Sequence, residues 1–200
     1  FNFIEIDLIY RKGWYEVNKI NFYEIEAEEG PFAARLAQWI KETYEPMEAL
    51  DIGCGPGIYV NALRGLGINA IGIDIDPRIR NKEYVYQESV FETKRKSELV
   101  ICLEVAEHIA SIDSDALISS VVNCLKPGAR LIWSAAKPGQ GGVGHINCRP
   151  KEFWEHKFLK AGLIRNETVE SVMIDQIRGG YHMGWFVQNA MIFERVDSES

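Results

Sequence analysis

The chain reads LDIGCGPG at positions 50–57, with three glycines at alternate positions after a short apolar run. The run from Ala49 to Ile52 predicts a buried β-strand, and the segment from Ile58 to Leu66 predicts a helix. Glycine suits the junction because it adopts unusual backbone dihedrals and leaves room for a ligand beside the main chain. The start of the helix adds free N–H groups. This stretch therefore predicts a strand, a tight ligand-binding turn and a helix.

A second apolar stretch, AIGID at positions 70–74, ends in an acid. Asp74 follows the glycine turn by about 20 residues, the spacing at which a carboxylate binds ribose hydroxyls in nucleoside-binding βαβ units. Dinucleotide sites favour a third glycine at the position that Ile58 occupies here. The pattern therefore favours a nucleoside ligand and disfavours a nicotinamide dinucleotide.

Composition limits the class of protein. The chain has 200 residues and a formal net charge of −7, which argues against a surface generally coated by nucleic acid but not against a local basic patch. Its four cysteines show no C-x-x-C spacing, as in a reduced intracellular protein. No run of 18 apolar residues predicts a membrane span, and no signal peptide is visible. We therefore expect one cytoplasmic domain without a membrane segment.

Strand and helix patterns alternate along the chain, which predicts a doubly wound, mostly parallel sheet. Helices are expected from Gly30-Pro31 to about Tyr44, over 113–125 and over 151–161. The last two strands are expected at 163–173 and 185–195, joined by a loop without a helix, so that the edge strand is antiparallel. Residues 135–150 form a long glycine-rich loop, and loops of this length are usually functional or disordered.

The pattern D-x-G-x-G-x-G at 51–57, together with Asp74 and LVICLEVAEH at 99–108, resembles the class I S-adenosylmethionine (SAM) dependent methyltransferases. The resemblance covers about Phe32 to Arg195. It implies a seven-stranded sheet of order 3-2-1-4-5-7-6 with helices on both faces, a cap or lid at 1–30, a methyltransferase domain at 31–196, and SAM as cofactor with S-adenosylhomocysteine (SAH) as product. The candidate cofactor-binding residues are Asp51, Gly53, Cys54, Gly55, Gly57, Asp74, Ile75, Ser89, Val90 and Leu103.

The resemblance also implies roles for these residues. The three glycines would let the backbone pass close to the methionine part of SAM, and Asp51 would orient the turn and reach the amino group through water. Asp74 would accept hydrogen bonds from both ribose hydroxyls. Ser89 stands where the family often has an acid that holds adenine, so a backbone N–H near Val90 is the candidate here. Leu103 would touch the adenosine or the methionine chain.

The segment E-x-x-E-H at 104–108 is similar to that of ubiquinone-biosynthesis O-methyltransferases and of small-RNA 2′-O-methyltransferases, where it binds a divalent cation. If the segment is one helical turn, Glu104, Glu107 and His108 share a face. His145, in the long loop, is the fourth candidate ligand of a Mg²⁺ or Mn²⁺ ion. The alternative is a site without metal, in which His108 packs under the helix. His145, Glu104 and His108 are the candidate catalytic residues, with His145 as a base.

These residues predict a SAM-dependent methyltransferase that acts on a hydroxyl group of a small molecule. One alternative is an RNA 2′-O-methyltransferase with a divalent-metal site, which needs a basic patch from Arg149, Lys151, Lys157 and Lys160. Another is a catalytically inactive SAM-binding module of a larger protein. Residues 12–15 and 181–184 are candidates to close the pocket. The sequence identifies neither the acceptor nor the oligomeric state.

Overall fold

The computed structural model describes residues 22–79, 82–177 and 184–195. Its strands are β1 Glu48–Ile52, β2 Asn69–Asp74, β3 Val85–Gln87, β4 Ser97–Leu103, β5 Leu125–Ser134, β6 Leu163–Arg165 and β7 Met191–Arg195. They form one sheet of order β3-β2-β1-β4-β5-β7-β6. The first five strands pair in parallel, and β7 pairs antiparallel with both β5 and β6. The predicted strand order and the antiparallel last strand are confirmed.

Helices cover both faces of this sheet, as predicted. They are α1 Phe22–Tyr44, α2 Ile58–Gly65, α3 Ser114–Asn123, α4 Lys151–Lys160, α5 Glu167–Ile177 and α6 Gly184–Asn189. Helices α1, α2, α5 and α6 share one buried cluster with Leu99 and Ile101 of β4. Helices α3 and α4 share the other with Val100 and Cys102 of the same strand. Successive residues of β4 thus alternate between two cores, which explains its continuous apolar sequence.

The strand predicted at 163–173 is wrong, because β6 ends at Arg165 and α5 follows. Asn166 ends the strand: its side-chain oxygen accepts a hydrogen bond from the N–H of Val169 at 3.0 Å, which is a helix N-cap. Met173 and Ile177 then lie four residues apart and are both buried. Their spacing is that of a helix with one apolar face.

The strand predicted at 185–195 is also wrong in its first half. Residues 184–189 form α6, and β7 begins only at Met191. Phe186 of α6 packs against Phe32 of α1 with ring centroids 4.9 Å apart, so burial of this aromatic ring favours a helix over a longer strand. The described residues of the connection between β6 and β7 therefore include two helices. Residues 181–183 lie outside the described part.

Helix α1 begins earlier than predicted, at Phe22, and contains Pro31 in its interior. A proline was expected at the first helical position, where its missing N–H has no partner to lose. The helix crosses residue 30, where the cap was predicted to end. Residues 1–21, including the candidate lid at 12–15, lie outside the described residues. None of the described helices is long and apolar enough to cross a membrane.

Candidate functional site

The glycine turn joins β1 to α2 at the carboxyl end of the sheet. Its three glycines, Gly53, Gly55 and Gly57, have φ angles of +71°, +49° and +85°, which side-chain-bearing residues rarely adopt. The N–H groups of Gly53 and Cys54 donate to the carbonyl of Ile73 at 2.8 and 3.2 Å and fix the turn to β2. A Cβ on Gly55 would meet nothing within 4 Å. The backbone of Gly55 therefore borders open space that a ligand can enter.

Cys54 contributes its backbone to this turn, whereas its side chain packs away in the core. A Cβ on Gly72 would lie 2.5 Å from the Cys54 Sγ, so the glycine in β2 leaves the space that the thiol fills. Burial raises the pKa of Cys54 well above its usual value, which keeps the thiol protonated.

Asp74, at the end of β2, is bonded to the turn. Its Oδ2 accepts from the N–H of Gly55 at 2.9 Å, and its Oδ1 accepts from the N–H of Asp76 at 2.8 Å. A carboxylate offers about four acceptor positions, so these two bonds leave room for ribose hydroxyls. Asp76 accepts from the N–H of Arg78 at 2.8 Å and caps the short helix Pro77–Ile79.

Asp51, the last but one residue of β1, is only 3% exposed, and its Oδ2 has no hydrogen-bond partner. Burial raises the pKa of this carboxyl group well above its usual value, and the charges of Asp74 and Glu29 raise it further. A buried carboxylate oxygen without a donor is unfavourable unless a ligand supplies one. A cationic group such as the ammonium of SAM would do so, and the site thus fits this cofactor.

The candidate adenine contacts lie after β3. The buried Ser89 accepts from the N–H of Phe91 through its Oγ at 3.2 Å and shapes the loop into a turn. The acid beside it, Glu88, pairs with Arg95 at 2.8 Å, which occupies this carboxylate within the protein. Val90, the next residue after Ser89, is half-buried. Ile75 and Leu103, also half-buried, follow β2 and end β4, so these four candidates all lie at the carboxyl edge of the sheet.

Glu104 turns the chain away from β4 with a φ of +52°. Its Oε2 accepts from the Gln140 Nε2 at 2.9 Å, and its Oε1 accepts from the Asn189 Nδ2 at 3.2 Å. The same Asn189 nitrogen donates to the Gln140 Oε1 at 2.8 Å, which closes a triangle of hydrogen bonds. Gln140 and Asn189 were missed by sequence reasoning, since neither belongs to a motif.

Glu107, His108 and His145 form a second group of side chains just after Glu104. One candidate donor atom from each lies within 4.8 Å of the others. Glu107 and His108 lie in the short 3₁₀ helix Ala106–His108, which Glu104 precedes. The structure thus groups three of the four predicted metal ligands. Glu104 is not on a shared helical face with them, because its positive φ places it outside the helical turn.

Burial sets the protonation of this cluster. Glu107 is fully buried and neither carboxylate oxygen has a hydrogen-bond partner. Burial, followed by the charge of Glu104, raises its pKa to about 8. Burial and the neighbouring His145 lower the pKa of His108 to about 4, so this imidazole is neutral at pH 7. The His108 Nδ1 lies 3.2 Å from the carbonyl of Gly144, to which it can only donate, and this leaves Nε2 as the nitrogen with the lone pair.

The long loop is bonded to the 3₁₀ helix, and this brings His145 to the cluster. The N–H groups of Ile146 and Asn147 donate to the carbonyl of Glu107 at 2.8 and 3.0 Å. The His145 ring lies 4.9 Å from that of His108, between centroids, and its Nε2 is 3.9 Å from the Glu107 Oε1. A Cβ on Gly142 would come within 2.2 Å of the His145 ring, so a side chain there would displace the ring from its present position.

The basic residues considered for RNA are largely engaged within the protein. Lys151 bonds to Glu170 at 2.7 Å, and Lys157 to Asp115 at 2.5 Å. Arg149 donates to the Asn147 Oδ1 at 2.9 Å and to the Ser111 Oγ at 2.7 Å. These contacts give no support to a basic patch for nucleic acid.

Residues 24–172 match a protein family described as "Methyltransferase domain". The chain belongs to this methyltransferase family. Among curated proteins, it is 32% identical over 155 residues to the human mitochondrial ubiquinone biosynthesis O-methyltransferase, a match that spans 64% of the chain and 40% of that protein. It is 25% identical over 134 residues to the ubiquinone biosynthesis O-methyltransferase of Leptothrix cholodnii, spanning 58% of the chain and 52% of that protein. The chain thus spans about half the length of these relatives.

Solved structures share the fold of this methyltransferase. The magnesium protoporphyrin IX methyltransferase from Synechocystis PCC 6803, with bound SAH, has a TM-score of 0.67 at 16% identity and covers 96% of this chain and 98% of its own. The sugar N-methyltransferase KedS8 from Streptoalloteichus has a TM-score of 0.65 at 15% identity. The match covers 92% of this chain and 93% of the KedS8 chain. The fold and the family are those of class I SAM-dependent methyltransferases.

Proposed function

We propose that this methyltransferase transfers a methyl group from SAM to a hydroxyl group of a small molecule. The observation that carries the proposal is the position of the Glu107–His108–His145 cluster. Val105, which precedes the cluster, packs against Gly53 of the glycine turn, where a Cβ would lie 2.3 Å from the Val105 Cγ2. The cluster, which can accept a proton from a hydroxyl group, thus lies next to the cofactor turn. The relatives named O-methyltransferases support the same acceptor chemistry.

The residues of the turn hold and orient the cofactor. The backbone of Gly55 borders the open space, Asp74 accepts from the ribose, and Asp51 accepts from the ammonium group. When bound, SAM supplies a methyl group already activated on a sulfonium. Holding the acceptor in line with this methyl group provides much of the rate.

The acceptor hydroxyl must lose its proton as the methyl group transfers. The side chain of His145 is 14% exposed whereas that of Glu107 is 0% exposed, so an acceptor can reach His145 but not Glu107. Glu104 keeps its carboxylate bonded to Gln140 and Asn189 and adds negative charge beside the cluster. His145 is therefore the base of the proposal, and Glu104 and His108 support it.

Glu107, His108 and His145 also fit a divalent cation. Both Glu107 oxygens and the His145 Nδ1 lack hydrogen-bond partners, and the bond from His108 to the Gly144 carbonyl fixes the tautomer that a metal ligand requires. We propose Mg²⁺ or Mn²⁺ as the ion. With the ion bound, the lone pair of His145 would bind the metal, so His145 would act as the base only in a site without metal. Such an ion lowers the pKa of a hydroxyl that binds to it, and so makes the acceptor easier to deprotonate at neutral pH.

Methyl transfer from labelled SAM tests the proposal on small acceptors with one hydroxyl, two adjacent hydroxyls or an amine, and on an RNA oligonucleotide with a free terminal 2′-hydroxyl. We expect transfer to small hydroxyl acceptors, loss of activity with a chelator, and recovery with Mg²⁺ or Mn²⁺. Activity that a chelator leaves unchanged would exclude the metal and leave His145 as the base. Transfer to the amine or the RNA alone would contradict the acceptor class. SAM binding without any transfer would favour an inactive module.

A further inference from the structure

Asn147 lies in the long loop two residues after His145 and is only 2% exposed. Its Nδ2 donates to the Ser114 Oγ at 3.1 Å and, over a longer distance of 3.4 Å, to the carbonyl of Ala106. Its Oδ1 accepts from the Arg149 Nε at 2.9 Å. Both ends of this buried amide are therefore hydrogen-bonded within the protein.

The orientation of the amide is fixed from two sides. The carbonyl of Ala106 can only accept and the guanidinium of Arg149 can only donate, so the amide nitrogen has to face Ala106 and the amide oxygen has to face Arg149. Arg149 is itself held in place, since it donates to the Ser111 Oγ at 2.7 Å and lies over the Phe153 ring, 5.1 Å from its centroid. A carboxylate lacks the donors for this arrangement and a hydroxyl lacks the second donor, so the set of bonds is specific to an amide.

The partners of Asn147 belong to the elements around the proposed catalytic cluster. Ala106 and Glu107 lie in the short 3₁₀ helix, and the Asn147 main-chain N–H donates to the carbonyl of Glu107 at 3.0 Å. Ser114 is the first residue of α3. Asn147 thus joins the long loop both to the 3₁₀ helix and to the start of α3.

The His145 ring has no hydrogen bond of its own to fix its place among the described residues. Its Nδ1 is without a partner, and its Nε2 lies 3.9 Å from the Glu107 Oε1, which is beyond hydrogen-bond distance. The position of the ring relative to Glu107 therefore depends on where the main chain of the loop is held.

We propose that Asn147 is a positioning residue, which holds the His145 imidazole beside Glu107 by joining the long loop to the 3₁₀ helix and to α3. The inference rests on the proposed function, in which His145 is a base or a metal ligand. Groups that orient a metal ligand from behind are worth about 10–100-fold in metal affinity. The side-chain hydrogen bonds of Asn147 reach Ala106, Ser114 and Arg149 and not the glycine turn, so cofactor binding should not depend on them.

Asn147→Ala tests the inference through the reactivity of His145 toward diethyl pyrocarbonate, which modifies neutral imidazoles that solvent reaches. In the presence of a chelator, mass spectrometry gives the rate at His145 relative to the rate at the exposed His156, the internal reference. We expect this ratio to rise several-fold in the variant, because the His145 ring leaves its half-buried position. By calorimetry, Mn²⁺ affinity should fall about tenfold and SAH affinity should equal that of the wild type.

Asn123→Ala is the matched control, since it changes an exposed asparagine at the other end of α3 and should leave all three values unchanged. A wild-type reactivity ratio in folded Asn147→Ala would overturn the inference. Equal losses of Mn²⁺ and SAH affinity, or no loss of Mn²⁺ affinity in a protein that binds the ion, would also overturn it, because Asn147 would then have a structural role only.

The proposed function can fail separately from this inference. A wild-type chain that binds no SAH would refute the proposed function, and one that binds no Mn²⁺ would refute the proposed metal; in both cases the reactivity ratio still decides the role of Asn147. If Asn147→Ala does not fold, Ser114→Ala takes its place, since it removes one acceptor of the amide and should raise the ratio by a smaller factor. An unchanged ratio in Ser114→Ala would then overturn the inference.

Discussion

Gly53 and Val105 pack so closely that a Cβ on residue 53 would lie 2.3 Å from the Val105 Cγ2. The contact joins the cofactor turn after β1 to the segment after β4 that carries the candidate catalytic residues. Because Gly53 also has a φ of +71°, both packing and backbone conformation require glycine at this position.

Gly53→Ala should therefore lower the free energy of unfolding and weaken cofactor binding. Left-handed strain and overpacking each cost about 1–3 kcal/mol, so we expect a total loss of about 2–6 kcal/mol. Moving Val105 would also displace the turn, and SAH affinity should fall by more than tenfold. Urea denaturation and calorimetry measure the two effects.

Gly67→Ala is the control for Gly53→Ala. Gly67 has a similar φ of +81°, but a Cβ there would meet nothing within 4 Å. The free energy of unfolding of this variant should fall only by the cost of left-handed backbone strain, about 1 kcal/mol. Its SAH affinity should stay at the wild-type value. Equal losses of stability in the two variants would show that the contact with Val105 is not tight.

Asp74→Ala should weaken SAH binding by about 1–3 kcal/mol, the effect of leaving ribose hydroxyls without an acceptor. The wild type should also prefer SAH over its 2′,3′-dideoxy analogue, and this preference should disappear in the variant. Calorimetry with both ligands measures it. Asp115→Ala, which removes an exposed carboxylate bonded to Lys157, serves as the control. A folded Asp74→Ala variant that still prefers the hydroxylated ligand would exclude Asp74 from ribose binding.

Much of the fold could be predicted because its determinants are local. The apolar runs of β1, β2 and β4 and the glycine turn between β1 and α2 each lie within ten residues of sequence. The segment 163–173 was predicted as one strand because its apolar residues are mostly β-branched or flexible. The only local signal that ends β6 is the helix cap Asn166. Recognising Asn166 as a helix start would have corrected the interpretation.

The candidate site was less accessible to sequence reasoning. Glu107, His108 and His145 follow from motif and loop position, but the bonds of Gln140 and Asn189 to Glu104 span 36 and 85 residues and carry no local pattern. Glu104 was expected on a helical face with Glu107, whereas its φ of +52° places it before the helical turn, and its carboxylate bonds to Gln140 and Asn189.

The stability of the metal-free protein should fall between pH 7 and pH 8. Glu107 has a pKa of about 8 when folded and about 4.5 ordinarily, so the folded state holds a proton that the unfolded state has lost. Stability falls as pH rises in such a case, here by roughly 1 kcal/mol over this interval. His108 has a folded pKa of about 4, below its ordinary value, so its contribution makes the free energy of unfolding rise with pH. Nearly all of that rise occurs below pH 7. Urea denaturation in the presence of a chelator measures the slope.

Glu107→Gln should remove most of this pH dependence, because the amide cannot titrate. Glu152→Gln, an exposed change on α4, should keep the wild-type slope. A slope that is the same in Glu107→Gln and in the wild type would show that the Glu107 carboxyl group is already ionised at pH 7.

Asn189→Ala should loosen the long loop that carries His145. Asn189 is 1% exposed and donates to Glu104 and Gln140, so its removal leaves two acceptors without this donor and lowers the free energy of unfolding by about 1–3 kcal/mol. Because Gln140 lies in the loop, amide hydrogen exchange over residues 137–147 should accelerate more than in the sheet. Gln188→Ala is the neighbouring control: it removes an exposed contact with Lys137 and should change stability by less than about 0.5 kcal/mol. Exchange in the loop that stays at the wild-type rate in Asn189→Ala would mean that the hydrogen bonds from residues 146 and 147 to Glu107 hold the loop by themselves.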